Sequence, residues 1–237
     1  FKYASCFFAV TDKELNEINN ISKNKVNTYL LPNGIWVKSE PVSNGNSNII
    51  RNFSNYKIPD KYILFVGRLS IIKGPDILLK AFLETNIKYE YGLVFAGPDD
   101  KMLDRMLMFL KKSTDRKKIF FLGPVSYQER DMLMKKAVLT VIPSRSEAMS
   151  MVAIESSYLG TPFLATEHCG LEDFEKNSSG FICAGDCKSI SNKLDEILND
   201  PKSLKKIGKN SYNYVLSNYS WDIIIQRMSS YLEKFRK

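Results

Sequence analysis

The chain of 237 residues contains few of the residues that build disulfide-rich or metal-binding proteins. Its four cysteines are too few and too unevenly spaced for a disulfide framework in a chain of this length. No two of them have the C-x-x-C spacing of zinc sites, and His168 is the only histidine. The pattern predicts reduced thiols in a cytoplasmic protein without a structural metal. The cysteines are Cys6, Cys169, Cys183 and Cys187.

Long apolar runs and clustered charge are absent as well. No apolar run approaches the ~18 residues that a membrane-spanning helix needs. The 34 Lys and Arg against 26 Asp and Glu give a net charge of +8, but the basic residues are dispersed and lack the motifs of nucleic-acid-binding proteins. The composition therefore predicts a folded protein with solvated basic faces and no nucleic-acid partner. Attraction to an anionic membrane or an acidic substrate is the minor alternative.

From Lys61 onward, buried strands alternate with helices. Residues 62–66 form a continuous apolar strand, as a buried parallel sheet requires, and Gly74-Pro75 marks the start of a helix. This alternation predicts an α/β fold with a doubly wound parallel sheet, which is Rossmann-like. The further predicted strands are 93–96, 119–122, 138–142 and 162–165, and the further predicted helices are 102–112, 127–136 and 152–159.

The two ends of the chain have a different pattern. Residues 7–10 and 29–31 read as short strands, the first of them buried, and a helix is expected to begin at Thr11. Pro32-Asn33-Gly34 predicts a turn, and residues 39–55, rich in Ser and Asn, predict a linker. Residues 188–237 predict helices only.

Ligands of doubly wound sheets bind beyond the carboxyl ends of the strands, so the loops that follow the strands are the places to inspect. The loop after the first strand carries Arg68 and Lys73 between a strand end and a helix start. Free backbone N–H groups, the helix dipole and two cations favour an anion such as phosphate there. Alternatively, both cations are ordinary surface residues of a polar loop.

A second loop leads into the helix predicted at 152–159. It carries Glu147, and Glu155 follows eight positions later on the second turn of that helix. A carboxylate there can accept hydrogen bonds from two vicinal hydroxyl groups, which suits a ribose. Alternatively, Glu155 is a partly buried acid paired with a nearby Lys or Arg, and Glu147 only complements the helix dipole.

Several short sequence motifs follow one another along the chain. They are residues 31–35 (Leu-Pro-Asn-Gly-Ile), 65–69 (Phe-Val-Gly-Arg-Leu), 73–74 (Lys-Gly), 95–97 (Phe-Ala-Gly), 121–125 (Phe-Leu-Gly-Pro-Val), Glu147 with Glu155, and 220–221 (Ser-Trp). This series resembles the retaining glycosyltransferases of the GT-B fold, which use nucleotide-activated sugars and carry a Glu-x7-Glu motif. The resemblance covers residues 9–237.

The resemblance implies a role for each residue of the motifs. Arg68 and Lys73 hold the donor diphosphate and neutralise the charge of the leaving nucleotide, while Glu147 contacts the transferred sugar; these three would be the catalytic residues. Such enzymes usually need no metal or other cofactor, because cations and a helix dipole take that role, and the acceptor attacks on the face that the nucleotide leaves. The implied donor-binding residues are Gly67, Val125, Met149, Ser150, Met151, Val152 and Glu155.

The chain departs from the family pattern in two places. Gly-Phe-Gly usually follows the first glutamate, and Ala148, Met149 and Ser150 stand there instead. A glycine pair often follows the next strand, whereas this chain has Cys169 and Gly170. Because glycine permits close approach and unusual backbone angles, both changes are expected to alter the surroundings of the donor sugar.

The resemblance also predicts how the domains are organised. Residues 1–57 would be the end of an N-terminal acceptor domain with its linker, 58–219 the donor-binding domain and 220–237 a crossing helix. The rest of the acceptor domain is expected in a missing N-terminal part of the same polypeptide.

The expected activity is sugar transfer from a nucleotide-sugar to a hydroxyl acceptor. Polysaccharide, lipopolysaccharide or glycolipid synthesis in the cytoplasm, peripheral to the membrane, is the usual setting of such enzymes. A non-catalytic nucleotide-sugar-binding module, or a GT-B epimerase or phosphorylase, is the alternative, since a fold alone does not separate these functions.

Overall fold

The first structural unit is a small β-α-β arrangement. The computed structural model describes residues 4–37, 58–111 and 116–234. Strands β1 (Cys6–Ala9) and β2 (Asn27–Leu30) pair in parallel, and helix α1 (Asp12–Ser22) connects them. Thr11 caps this helix, as the sequence predicts, because its hydroxyl accepts the Glu14 N–H at 3.3 Å. The strand predicted at 7–10 is shifted by one residue and is mostly half-buried rather than buried.

The main unit is a parallel sheet of six strands in the order β5-β4-β3-β6-β7-β8. Its first strand occupies the centre, and later strands are added on both sides, which is the strand order of a Rossmann sheet. The predicted doubly wound α/β fold is therefore confirmed. The strands are β3 (Tyr62–Val66), β4 (Gly92–Ala96), β5 (Ile119–Gly123), β6 (Leu139–Ile142), β7 (Phe163–Thr166) and β8 (Phe181–Cys183).

Helices cover the two faces of this sheet. Strands β3 and β4 are buried almost along their whole length, because helices pack on both sides of them. Phe65, Phe95 and Phe121 from three adjacent strands contact each other within one core cluster. The helices are α2 (Pro75–Glu84), α3 (Leu103–Leu110), α4 (Tyr127–Lys136), α5 (Met151–Tyr158), α6 (Glu172–Lys176), α7 (Cys187–Leu198), α8 (Pro201–Asn218) and α9 (Trp221–Glu233).

The last helix, α9, returns to the first unit. The Ile35 N–H donates to the Tyr219 carbonyl at 2.7 Å, and the Trp221 N–H donates to the Ile35 carbonyl at 3.0 Å. On the next turns, the ring of Tyr231 stacks on that of Tyr29 with centroids 4.5 Å apart. The segment before α9 and the segment after β2 are thus joined by backbone hydrogen bonds. None of the helices in the described ranges is long and apolar enough to cross a membrane.

The turn predicted at Pro32-Asn33-Gly34 is wrong. This segment runs without a hydrogen-bonded turn toward the bridge between Ile35 and Ser220. Gly34 is needed for packing instead, because a Cβ atom there would lie 2.6 Å from the Trp221 ring. Local turn preference is overridden here by a contact with the other end of the chain.

Two further predictions have different outcomes. The structure contains strand β8 and helix α6 before residue 187, and neither was predicted from the sequence. The helices expected from residue 188 onward are present as α7, α8 and α9.

The linker predicted at 39–55 lies outside the described residues. The domain boundary predicted between 57 and 58 falls at the edge of the described part and stays a prediction.

Candidate active site

The two loops singled out in the sequence lie next to each other in the structure. Strands β3 and β6 are neighbours in the sheet, although two strands separate them in sequence. The sheet changes its direction of growth between them, and ligands of such folds bind at the carboxyl ends of strands at this point. The β3–α2 loop (residues 67–74) and the β6–α5 loop (residues 143–150) follow these strand ends.

An ion pair joins the two loops. The Lys73 Nζ lies 3.0 Å from the Glu147 Oε1, and the Glu147 side chain is only 10% exposed. The Ser144 hydroxyl donates to the same carboxylate oxygen, and the backbone N–H of Glu147 donates to the His168 carbonyl at 2.9 Å. Lys73 and Glu147, which the sequence assigns to one site, are therefore in direct contact.

A second ion pair connects the β6–α5 loop with the start of α2. Arg145 binds both carboxylate oxygens of Asp76 at 2.9 and 2.8 Å, and its own N–H donates to the Ile72 carbonyl at 2.7 Å. Burial alone would raise the pKa of Asp76, but the hydrogen bonds and charge of Arg145 outweigh it and hold this pKa below its ordinary value. This bidentate pair fixes the start of α2 against the β6–α5 loop.

The loops are also in close backbone contact at Gly74. This residue has a φ of +66° and precedes the proline that starts α2. A Cβ atom at Gly74 would lie 2.0 Å from the Pro143 carbonyl oxygen, so only glycine fits without moving one loop away from the other. The close packing of the first loop against the second thus explains why a glycine follows Lys73.

An open cleft of ≈ 570 Å³ begins at the β3–α2 loop, within the size range of small-molecule sites. It is bounded by the ends of β3, β4 and β5 and by the start of α4. Gly97, at the end of β4, has a φ of +148°, and a Cβ atom there would lie 2.0 Å from the Gly67 carbonyl oxygen. The backbones of these two strand ends can therefore lie side by side at the cleft. Among the predicted site residues, those lining it are Gly67, Arg68 and Val125.

Arg68 lines the cleft and forms an exposed ion pair there. Its guanidinium is 3.2 Å from the Asp100 carboxylate, and both side chains are well exposed, at 65% and 42%. An exposed pair of this kind contributes little to stability, and a phosphate group offers a stronger, bidentate alternative. Arg68 is thus available to bind an anion in the cleft.

Helix α5 begins at the end of the second loop with no side-chain cap from a described residue. The Ser150 N–H donates to the Cys169 carbonyl at 3.0 Å, and its buried hydroxyl has no hydrogen-bond partner in the described part of the chain. Met149 is buried, whereas Met151 and Val152 of the first turn are half-buried. The first N–H groups of such a helix have no partner within the helix and favour an anion.

The altered glycine positions have a simple structural explanation. Ser150 has φ −81° and ψ 108°, and neither Ala148 nor Met149 has a positive φ. The loop therefore adopts ordinary backbone angles without the two glycines of the family pattern. Gly170 is different, because its φ is +64° and a Cβ atom there would lie 2.0 Å from the Ala148 carbonyl oxygen.

Glu155 has an ion-pair partner that the sequence analysis did not identify. Its Oε2 lies 3.1 Å from the Nη1 of Arg130, which belongs to the first turn of α4. Burial raises the pKa of Glu155, and Arg130 opposes this without cancelling it. The partly buried, paired acid expected as an alternative is therefore what the structure shows.

The predicted residues thus fall into four groups. Gly67, Arg68 and Val125 line the cleft, and Lys73 and Glu147 join the two loops. Glu155 is paired with Arg130, and residues 149–152 form the end of the second loop and the start of α5. Sequence reasoning missed Arg130 and Arg145 as members of the site. Arg145 stands in the loop that leads to Glu147, so its position was a usable signal, whereas Arg130 lies within a helix and gave none.

Metal ligands do not cluster in the described ranges. No three His, Cys, Asp or Glu side chains there are placed to hold a metal ion together. Cys169 is buried, and its thiol contacts the Thr166 hydroxyl at 3.4 Å. Burial raises the pKa of this thiol to about 11, so it is protonated at neutral pH.

Comparison with known families and proteins gives a consistent result. The sequence model of the family described as glycosyl transferases group 1 matches residues 46–214. An uncharacterized glycosyltransferase of Methanocaldococcus jannaschii is 31% identical over 230 residues, covering 94% of this chain and 58% of the relative. A D-inositol 3-phosphate glycosyltransferase of Gordonia bronchialis is 28% identical over 71% of this chain and 39% of the relative. The chain thus spans 58% or less of the length of these relatives.

Solved structures of similar fold include the HepE protein of Anabaena in complex with UDP. It superimposes with a TM-score of 0.85 at 17% identity, covering 98% of this chain and 65% of that protein. The same protein has also been solved with UDP-glucose. At this level of identity the likeness establishes the shared fold.

Proposed function

Because the chain belongs to the glycosyl transferases group 1 family, we propose that it forms the donor-binding part of a retaining glycosyltransferase. The substrate would be a nucleotide-sugar, and the sugar would be transferred to a hydroxyl acceptor. The observation that carries this proposal is the ion pair between Lys73 and Glu147, which joins the loop that carries Arg68 to the loop that leads into α5.

The diphosphate of the donor would bind between Arg68 and the amino end of α5. Arg68 would exchange its exposed partner Asp100 for phosphate, since a forked guanidinium binds phosphate oxygens in pairs. The uncapped N–H groups near Met151 and Val152 add the positive end of a helix dipole. Lys73 adds a fixed positive charge held by Glu147.

The nucleoside would lie along the cleft toward α4. Its base would contact the backbone near Val125, and its ribose hydroxyls would bind the carboxylate of Glu155. HepE of Anabaena binds UDP and UDP-glucose in a structure of the same fold. That likeness supports a nucleotide as the ligand here and leaves the identity of the base to experiment.

During transfer the bond between the anomeric carbon and the phosphate oxygen would break, with its electron pair passing to the nucleotide. Arg68, Lys73 and the dipole of α5 would stabilise the negative charge that develops on the phosphate, so that no metal is required. The acceptor hydroxyl would attack on the same face, and its proton would pass to the departing phosphate oxygen. Glu147 would hold a hydroxyl of the transferred sugar.

Acceptor binding would be the task of the part of the relatives' length that this chain does not span. The β1-α1-β2 unit, which α9 contacts, would be the end of that acceptor domain. We place the activity in polysaccharide, lipopolysaccharide or glycolipid synthesis on the cytoplasmic side. The net charge of +8 would favour peripheral contact with an anionic membrane.

Calorimetric titration of the chain with UDP, GDP and ADP tests this proposal. We expect one of them to bind selectively, and Arg68→Ala and Glu155→Ala each to weaken its binding by about tenfold, the loss of one hydrogen bond to a charged group. Lys193→Ala, which removes a surface ion pair on α7, should bind like the wild type. Absence of binding by all three nucleotides, or binding independent of Arg68 and Glu155, would contradict the proposal.

A further inference from the structure

Arg130 links the cleft with Glu155. Arg130 lines the cleft together with Arg68 and Val125, and its Nη1 lies 3.1 Å from the Glu155 Oε2. Its other terminal nitrogen, Nη2, lies 3.2 Å from the Asp131 carboxylate. Glu155 is not among the described residues that line the cleft, and it is joined to that lining through its ion pair with Arg130.

The position of Arg130 is fixed by the start of α4. Ser126 and Glu129 form a capping box, in which each side chain accepts the backbone N–H of the other residue. The Arg130 N–H donates to the Ser126 carbonyl at 2.9 Å, which places the side chain in the first helical turn. The Tyr127 ring, 80% exposed, lies over the guanidinium at 5.1 Å and covers one of its faces.

The guanidinium is held firmly on several sides. The Arg130 side chain is only 21% exposed, and its Nε is buried without a hydrogen-bond partner in the described part of the chain. A buried, unpartnered N–H group is unfavourable for folding, so stability alone does not account for this arrangement. The two Nη contacts and the Tyr127 ring restrict the guanidinium to one orientation.

This arrangement sets the chemical state of Glu155. Burial favours the neutral acid and raises the pKa of Glu155, whereas the Arg130 charge favours the carboxylate. The contact with Arg130 is made through the Oε2 atom of Glu155. An ionised carboxylate in one fixed orientation is the group that would bind ribose hydroxyls best.

We propose that Arg130 is a positioning residue for the nucleoside half of the donor, because it orients Glu155 toward the ribose hydroxyls. The inference rests on the proposed function and extends it to a residue outside the motif series. Removal of Arg130 would weaken recognition of the ribose in particular. Recognition of the diphosphate, which depends on Arg68 and the start of α5, would be retained.

The test compares ribonucleotides with their 2′-deoxy counterparts. UDP, GDP and ADP, and the corresponding 2′-deoxynucleotides, are titrated into the wild type, Arg130→Leu, Arg130→Lys and Arg68→Ala. For the nucleotide that binds, the wild type should prefer the ribose form by about tenfold, the value of one hydrogen bond to a charged group. Arg130→Leu should reduce this preference to about twofold or less, and Arg130→Lys should give an intermediate value because it keeps the charge without the fork.

Arg68→Ala is the matched control. It should weaken the binding of ribose and deoxyribose forms by the same factor and leave their ratio unchanged. A ratio unaffected by Arg130→Leu, or tighter binding in that variant, would overturn the inference and leave the proposed donor site standing. If the wild type binds none of the nucleotides, the proposed function itself fails. If Arg130→Leu does not fold, as judged by urea unfolding, the Arg130→Lys ratio decides between the same outcomes.

Discussion

The Nζ of Lys73 lies 3.0 Å from the Oε1 of Glu147, and this contact spans the point where the sheet reverses its direction of growth. Lys73 follows β3 and Glu147 follows β6, so two loops that are distant in sequence share one ion pair. The glutamate is nearly buried, and the lysine is 29% exposed. The ion pair therefore joins the two loops of the candidate site and fixes the position of the Lys73 ammonium group.

Removal of Lys73 should destabilise the chain. In Lys73→Met the nearly buried carboxylate of Glu147 would lose its countercharge and keep only the Ser144 hydroxyl. We expect the free energy of unfolding in urea at pH 7 to fall by about 1–3 kcal/mol, less than for a fully buried pair.

The double variant Lys73→Met with Glu147→Gln is the control. The double variant carries no unpaired charge. Its loss in free energy of unfolding should therefore be smaller than the sum of the losses in the two single variants. Strict additivity of the single variants would show that the observed contact contributes no coupling energy.

The Arg145–Asp76 pair should make stability depend on pH. The pKa of Asp76 is below its ordinary value of 3.8 in the folded protein, so the ion pair stabilises the fold fully above pH 3.8. This contribution is lost as the pH falls through the lowered pKa of folded Asp76. Arg145→Met should cost about 1 kcal/mol at pH 7, since Arg145 is 38% exposed and solvent screens the pair.

Urea unfolding at several pH values checks this prediction. The difference between wild type and Arg145→Met should shrink as the pH is lowered below 3.8. Asp76→Asn provides the comparison, because in that background Arg145→Met should have a small and pH-independent effect. A constant difference across the whole pH range would contradict the assignment of the pair.

Two glycines in left-handed conformations should respond differently to alanine. Gly160 has a φ of +77°, and apart from its two chain neighbours no described residue has an atom within 4 Å of the position that a Cβ would take, so Gly160→Ala should cost only the backbone term of about 1–2 kcal/mol. Gly74→Ala adds a clash with the Pro143 carbonyl and should cost about 2 kcal/mol more. Urea unfolding measures both, and equal losses would mean that the two loops separate without cost.

Nucleotide binding should weaken at acidic pH in a way that depends on Glu155. Its pKa is raised above the ordinary 4.5 by burial, with Asp131 adding to the effect and Arg130 opposing it, both from α4. The carboxylate that would bind ribose is therefore protonated earlier than an exposed glutamate as the pH falls. Because the phosphate groups also titrate near pH 6, the useful quantity is the ratio of affinities between wild type and Glu155→Gln.

That ratio should be about tenfold at pH 7.5 and approach one as Glu155 becomes protonated. The phosphate groups of the nucleotide titrate in the same way when it binds to Glu155→Gln. Their effect on affinity therefore cancels in the ratio. A ratio independent of pH between 7.5 and 4.5 would indicate that the ionised form of Glu155 is not used in binding.

Much of the sheet could be predicted from sequence because strands such as β3, β4 and β5 are apolar runs that end at or just before a glycine. The apolar run at residues 62–66, for example, has the same bounds as β3. Strand β8 has only three half-buried residues and lies at the sheet edge, so it carries no such run. The prediction for the segment at Pro32 fails because Gly34 packs on Trp221, which is 187 positions further along the chain.

The candidate site was predictable only in part, for a related reason. Arg68, Lys73 and Glu147 stand at strand ends, where the topology itself brings functional groups together. Arg130 contacts Glu155 from a neighbouring helix, and no spacing within the sequence encodes that contact. Partners of buried charges are set by tertiary packing, and they became visible only in the structure.

A crystal structure of this chain with the nucleoside diphosphate that binds it tightest would test the proposed donor site most directly. We expect the diphosphate between Arg68 and the start of α5, the ribose within hydrogen-bonding distance of the Glu155 carboxylate, and the base beside Val125. The Arg68–Asp100 contact should be broken, and the Arg130–Glu155 contact retained. A nucleotide bound elsewhere, for example in the cavity lined by Thr11 and Asp173, with Arg68 still on Asp100, would contradict the site.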